Sequence, residues 1–265
     1  MTGAGDRAAG STEDAFLGGR LRILQPAAGY RAGLDAVLLA AAAPLRMGET
    51  EKVLDVGAGV GVVGLAVARR VPDARVTMIE REMAAADLCR ANIERNDLLE
   101  RARVLAGDLG RPLGEQPALQ RLAASFDHVL ANPPYHLEGA ASLAPVPAKA
   151  VANAMPADGL GHWLRFMAAM ARPGGTATMI HRADRLSHVL SAFAGRFGAL
   201  LVFPLFARPG AAAQRILVQG IKGSRAPLQL RPGLILHDAG HGFRPEVDAI
   251  LRAGHALELG RTGGD

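Results

Sequence analysis

A single cysteine, Cys89, stands in 265 residues. One thiol excludes an intrachain disulfide and any thiolate cluster for zinc or an iron–sulfur centre, and so little cysteine fits a reducing cytoplasm. Aromatic residues make up only 4% of the chain. That is too few for a platform that grips a run of unpaired bases by stacking, so a nucleic acid partner would be held closely at one or two nucleotides. Long hydrophobic runs are missing too. The richest, Leu34 to Leu45, falls short of the roughly 18 residues that a membrane-spanning helix needs and reads as a buried helix. The opening MTGAGDRAAGSTED has no apolar run of the signal-peptide kind, so no membrane partner is expected. Eight histidines invite a metal or acid–base reading. His237 and His241 have a spacing that binds zinc on a continuous helix, but Gly240 and Gly242 argue against one, and no metal site is expected.

What the chain does have is 49% hydrophobic content, enough to bury a sizeable core in one α/β domain. Lys and Arg number 30 against 25 Asp and Glu, a net charge of +5 that favours a polyanion such as RNA or serves only solubility. Residues 1–14 are small and polar and are expected to be a disordered tail. That leaves 15–265 as one domain, with an N-terminal motif segment over 15–47, a core over 48–221 and an appendage over 222–265.

From Val53 onward short β-rich runs alternate with longer helical patterns, the rhythm of βαβ units in a parallel sheet. The pattern predicts strands over Lys52–Val56, Arg75–Glu80, Ala102–Ala106, Phe126–Ala131 and Thr176–His181. It predicts helices over Val62–Arg70, Met83–Asn96, Leu160–Ala171 and Asp184–Arg196. Leu200–Phe206 and Arg215–Ile221 flank a Pro209-Gly210 turn and are expected to pair as an antiparallel hairpin, giving seven strands.

The first strand runs into Gly57-Ala58-Gly59-Val60-Gly61 and then a helix. In open α/β sheets ligands bind at such a strand end, where a helix N-terminus offers backbone donors and glycine lets the backbone come close. Gly59, Gly61 and Gly64 also satisfy the dinucleotide spacing G-x-G-x-x-G, so S-adenosylmethionine and a nicotinamide dinucleotide both fit this loop. Glu80 closes the second strand, where its ionised side chain would accept from ribose hydroxyls in either reading. Asp108 follows the third strand and would accept from an adenine amino group, or serve as an exposed loop acid.

The fourth strand delivers Asn132-Pro133-Pro134-Tyr135 to the same sheet edge. An amine conjugated to a ring or carbonyl is a poor nucleophile, because its lone pair is delocalised. Two acceptors, the Asn132 side-chain oxygen and the Pro133 carbonyl, would take its two hydrogens and aim the lone pair at an incoming methyl carbon. Proline stiffens the turn, and Tyr135 offers a flat face for an extruded base. The bland alternative is a Pro-rich turn after a strand.

Taken together, DVGAGVG, Glu80 and NPPY resemble the amino-methyltransferases of class I. Gly29-Tyr30-Arg31-Ala32-Gly33-Leu34-Asp35 is similar to the N-terminal motif of the bacterial tRNA(Val) adenine-N6 methyltransferase family, and Lys222–Leu228 and Phe243–Ile250 match it too. The resemblance spans about residues 16–255. It implies a Rossmann-like class I methyltransferase fold, a mostly parallel seven-stranded sheet with an antiparallel edge hairpin and helices on both faces. It also implies methylation of adenine N6 in tRNA, S-adenosylmethionine as cofactor, and a cofactor pocket closed by Tyr30, Gly33 and Asp35. Asp55 would stand near the methionine end of that cofactor, or only cap the following turn, with Gly57, Gly59, Gly61, Glu80, Asp108 and Asn132 completing the pocket. Arg31, Lys149, Arg182, Lys222 and Arg225 are the expected phosphate contacts, unless they are dispersed surface charge. Leu34 stands where the family commonly has Thr. NPPY is shared with methyltransferases of release-factor glutamine and of guanine N2 in ribosomal RNA, so these remain alternatives, as does an RNA-binding module with a vestigial cofactor site. Residues 136–157 make a long loop of the kind that caps a site or is disordered.

Overall fold

The computed structural model describes residues 10–29, 31–137, 154–155, 159–238, 240 and 242–260. Within them a hairpin of β1 (Ser11–Phe16) and β2 (Leu21–Pro26) precedes helix α1 (Leu34–Ala41). The doubly wound core follows as β3 (Lys52–Val56), α2 (Val62–Arg70), β4 (Arg75–Glu80), α3 (Met83–Arg95), β5 (Ala102–Ala106), the one-turn α4 (Pro117–Gln120) and β6 (Phe126–Ala131). A two-residue pair, β7 (His136–Leu137) and β8 (Ala154–Met155), precedes α5 (Gly159–Met170), β9 (Ala171–Arg182), α6 (Leu186–Phe193), β10 (Phe197–Phe206) and β11 (Ala213–Lys222). The chain ends with β12 (Gln229–Leu230), β13 (Leu234–Ile235) and α7 (Pro245–Asp248), which runs into a π turn over Ala249–Ala253.

The main sheet has nine strands, running β12-β10-β11-β9-β6-β3-β4-β5 with β13 also on β10. Five adjacent strands are parallel and β11 is antiparallel to both neighbours. Seven of the nine are the expected strands. The other two are two-residue strands from the C-terminal appendage, too short to leave a period in the sequence. Side chains alternate across the sheet. Val53, Met78, Leu130 and Leu217 pack toward α1, α2 and α3, while Leu54, Ile79, Val129 and Val218 pack toward α5 and α6. A sheet buried on both faces explains why its strands read as near-continuous hydrophobic runs.

The tail expectation needs correction over residues 10–14. Ser11–Phe16 is a strand, although its own burial is slight, because β2 supplies the apolar side with Leu21 and Ile23 fully buried. Residues 1–9 lie outside the described residues.

Two asparagines dock this hairpin on the core. Asn92 Oδ1 accepts from Leu24 N–H at 2.7 Å, and its Nδ2 donates to the Leu24 and Val60 carbonyls, both at 3.0 Å. One helical turn on, Asn96 Oδ1 accepts from Arg22 N–H at 2.9 Å and its Nδ2 donates to Arg22 O at 2.7 Å. Four helical residues rise about 6 Å and two strand residues about 6.6 Å, so side-chain amides at i and i+4 serve as a strand edge for alternate residues of β2. Replacing Asn92 by Ala strands buried backbone groups and is expected to cost about 2 kcal/mol or more. Urea unfolding should show a lower midpoint, and hydrogen exchange should speed up over residues 21–26; an unchanged midpoint would mean that the hairpin is held by other contacts.

Candidate active site

Strand order reverses at β3, whose chain partners β4 and β5 lie on one side and β6 on the other. Val56 and Ala131 are register partners across that boundary, so the residues that follow, Gly57 and Asn132, leave the sheet side by side. This is where an open α/β sheet forms a crevice. A cavity of about 610 Å³ fills it, lined among others by Gly57, Gly59, Glu80, Asp108, Asn132 and Trp163.

The glycine loop needs its glycines. Gly57 has φ +65°, and a Cβ there would come within 2.3 Å of the Trp163 ring. Gly59 also has positive φ, +55°, but faces open space, so it leaves room on the cavity side. The Glu80 side chain closes the loop from β4. Its Oε2 accepts from Gly59 N–H at 2.7 Å, and its Oε1 accepts from Arg81 and Glu82 N–H, both at 2.8 Å. A carboxylate has about four lone-pair positions, so a further hydroxyl donor still finds an acceptor there. Asp108 Oδ1 accepts from Gly110 N–H at 2.8 Å, which fixes its loop as an Asx turn at the cavity wall.

Asp55 is 1% exposed, and its Oδ2 accepts from Gly64 N–H in the first turn of α2 at 2.9 Å. The capping role and the place in the cavity wall therefore coexist in one side chain. Burial pushes its carboxyl up to about 7 against the Gly64 hydrogen bond, and the nearby Glu80 charge adds to the rise.

Next to this cavity is a second one of about 410 Å³, lined by Arg31, Gly33, Asp35, Tyr135 and Arg215 among others. Here the NPPY loop meets α1 and β11. Asp35 Oδ2 accepts from the Tyr135 hydroxyl at 2.7 Å and from Arg215 Nε at 2.8 Å. The Arg215 guanidinium sits 4.7 Å over the Tyr135 ring, and His181 meets that ring edge-on at 5.3 Å. His181 is 2% exposed, neither ring nitrogen makes a well-formed hydrogen bond, and burial pulls its pKa down to about 4, leaving the ring neutral.

Comparison with known proteins decides the family. The methyltransferase small domain family matches residues 33–156. A solved structure of a predicted O-methyltransferase from Agrobacterium tumefaciens superimposes with a TM-score of 0.70 at 33% identity, over 84% of this chain and 98% of that one. This chain belongs to the class I methyltransferases. A tRNA1(Val) (adenine(37)-N6)-methyltransferase of Shewanella putrefaciens is 37% identical over 111 residues, 42% of this chain and 44% of that protein. A release factor glutamine methyltransferase of Gloeobacter violaceus is 42% identical over 84 residues, 32% of this chain and 27% of that protein. The match spans under half the length of these curated relatives.

Within this methyltransferase the expected cofactor residues divide. Asp55, Gly57, Gly59, Glu80, Asp108 and Asn132 line the first cavity, and Gly61, the residue before α2, has φ +92° where a Cβ would meet Cys89 Sγ at 2.7 Å. Gly33 and Asp35 instead line the second cavity, while Gln25, whose side chain pairs with both backbone groups of Ala32, lines the first. Tyr30 lies outside the described residues. Tyr135 is not an open ring, since Arg215 covers one face.

The expected phosphate contacts are mostly committed to the protein itself. Arg31 donates to Pro26 O at 2.9 Å and pairs with Asp14, and Arg182 Nε donates to Asp184 at 3.0 Å. Lys222 Nζ donates to Ala171 O at 2.7 Å. It and Arg225 stand at the far end of the sheet, roughly 23 Å along β11 from Arg215 at ~3.3 Å per residue. Lys149, and most of the 136–157 loop, lie outside the described residues. Sequence reasoning missed Gln25, Trp163 and Arg215. The single tryptophan was the one available signal, but its place over Gly57 depends on how α5 packs.

The Asp55 shift has a stability consequence. A carboxyl whose pKa is raised by folding stabilises most below its unfolded value near 3.8, and that stabilisation is lost as pH rises through about 7. In the cofactor-free protein, wild type should therefore lose unfolding free energy relative to Asp55→Asn between pH 4 and pH 8, by an amount on the order of a few kcal/mol. Denaturant titrations at several pH values measure this difference; one that stays constant would show an Asp55 that titrates normally.

Proposed function

We propose that this chain transfers a methyl group from S-adenosylmethionine to the N6 amine of an adenine in tRNA. The observation that carries the reading is the adjacency of Gly57 and Asn132 at the reversal of strand order, which opens the cavity beside Glu80 onto the NPPY loop. The cavity fits a nucleoside bearing an amino-acid chain. Its volume is within the usual range for small-molecule sites, its floor is glycine backbone, and Glu80 retains capacity for a ribose hydroxyl.

Bound there, the sulfonium supplies an electrophilic methyl group and takes back the electron pair of its broken carbon–sulfur bond. The chain's own part is to hold and orient the amine. The Asn132 side-chain oxygen and the Pro133 carbonyl accept its two hydrogens, drawing the lone pair out of conjugation, and the proton displaced from nitrogen leaves to water. A planar amide would be held the same way, so release-factor glutamine, named for the Gloeobacter relative, is the second reading. The net charge of +5 and the Shewanella relative favour RNA.

Purified protein, labelled S-adenosylmethionine and total bacterial tRNA should yield N6-methyladenosine on nucleoside digestion. Transfer to release factor but not to tRNA would favour glutamine, and absent calorimetric binding of S-adenosylmethionine would favour an RNA-binding module. Asn132→Ala should lower kcat by about 100-fold while leaving cofactor affinity, read from Trp163 fluorescence, nearly unchanged. Equal loss in both would count against the role of Asn132.

A further inference from the structure

The Tyr135 hydroxyl stands between two acceptors, 2.7 Å from Asp35 Oδ2 and 2.9 Å from Asn132 Oδ1. A phenol has one hydrogen and cannot give it to both. A carboxylate is the stronger acceptor, since a charge-assisted hydrogen bond is roughly twice as strong as a neutral one, and the shorter distance is the one to Asp35. With its hydrogen given to Asp35, the phenol oxygen offers only its two lone pairs; the Arg215 guanidinium reaches it as one donor, and the Asn132 amide group 2.9 Å away stands where a second donor fits. A half-turn of the Asn132 amide exchanges its oxygen and nitrogen without moving any other atom, and places Nδ2–H there.

From this geometry we infer that Asp35, held by Arg215, is a positioning residue that acts through Tyr135 to set the orientation of the Asn132 amide, with Nδ2 toward the phenol and Oδ1 toward the amine acceptor. The inference rests on the amine-methylating reading for its consequence, but the hydrogen-bond polarity does not depend on the substrate.

The relay converges on Asp35, which accepts from Arg215 on one side and from Tyr135 on the other, while Tyr135 in turn accepts from Asn132 Nδ2–H. Arg215 Nε donates to the same Oδ2 at 2.8 Å, and its guanidinium lies over the Tyr135 ring, so one cation braces both the carboxylate and the phenol that donates to it. Asp35 is in the first turn of α1 and Arg215 on β11. The relay therefore ties the loop to α1, which also reaches the first cavity through Ala36, and to β11. Polarity matters because a donor aimed at an amino group is useless to it. If Tyr135 gave its hydrogen to the Asn132 oxygen, the amide would turn that oxygen toward the phenol and present Nδ2–H to the substrate amine.

This polarity predicts a rescue that packing alone would not give. In Asp35→Ala the phenol hydrogen loses its acceptor and turns to the Asn132 oxygen, and kcat should fall at least 10-fold with the KM for cofactor unchanged. Asp35→Asn keeps an acceptor and should retain most of the activity. Adding Tyr135→Phe to Asp35→Ala removes the competing hydrogen, so the double variant D35A/Y135F should turn over faster than D35A. A double variant no faster than D35A overturns the inference. The side-chain amide resonances of Asn132, assigned by their loss in Asn132→Ala, report the same polarity without substrate. They should shift in D35A and in Y135F, and Asn132 spectra that ignore both changes overturn it too. Failure of the wild type to methylate tRNA would instead count against the proposed function, and the resonance measurement would still decide the polarity.

Discussion

Val56 and Ala131 are register partners in a parallel ladder, and what the molecule brings to a ligand begins with the next residue of each strand. Parallel neighbours end at the same edge, so the loops that leave them start a strand spacing of about 4.8 Å apart. One of those loops is backbone and glycine, the other is stiffened by two prolines. The first leaves a hollow, and the second sets Asn132 and Pro134 in its wall. Because β3 is where the winding changes direction, the two loops face a cavity, which α5 closes on one side with Trp163.

Around that edge the structure places largely buried polar groups, and each is held differently. Glu80 is satisfied by three backbone donors from two loops. Asp55 has the α2 N-terminus, which offsets only part of the cost of burial. His181 is left neutral against Tyr135 with no well-formed hydrogen bond. The sheet faces on either side are mostly apolar, with a few buried polar side chains such as Thr178 and Gln219 that satisfy one another.

The N-terminal hairpin is part of that edge. Asn92 and Asn96 substitute for a missing neighbouring strand and fix β2 against α3, and from β2 the Gln25 side chain reaches the wall of the first cavity. The same segment leads into α1, which carries Asp35 to the second cavity. The motif at Gly29–Asp35 thus contributes to two neighbouring pockets, with Gly29 and Ala32 in the wall of the first and Gly33 and Asp35 in that of the second, though it is continuous in sequence.

By itself the sequence determined the alternation of strands and helices, because burial on both sheet faces requires apolar runs of strand length between helices of period 3.6, and it placed five strand or helix spans, such as Lys52–Val56 and Val62–Arg70, at their observed bounds. It also determined the glycine loop, Glu80 and the NPPY turn, whose roles depend on backbone conformation at neighbouring positions. Tertiary structure alone decided what those groups touch. Ser11–Phe16 has too little apolar content to announce a strand and becomes one through β2. Asp35, Tyr135 and Arg215 meet from positions 100 and 180 residues apart, and no local pattern records such a distance. Lys222, which charge alone would set beside a polyanion, is turned to the far end of the sheet because β11 runs antiparallel to its neighbours.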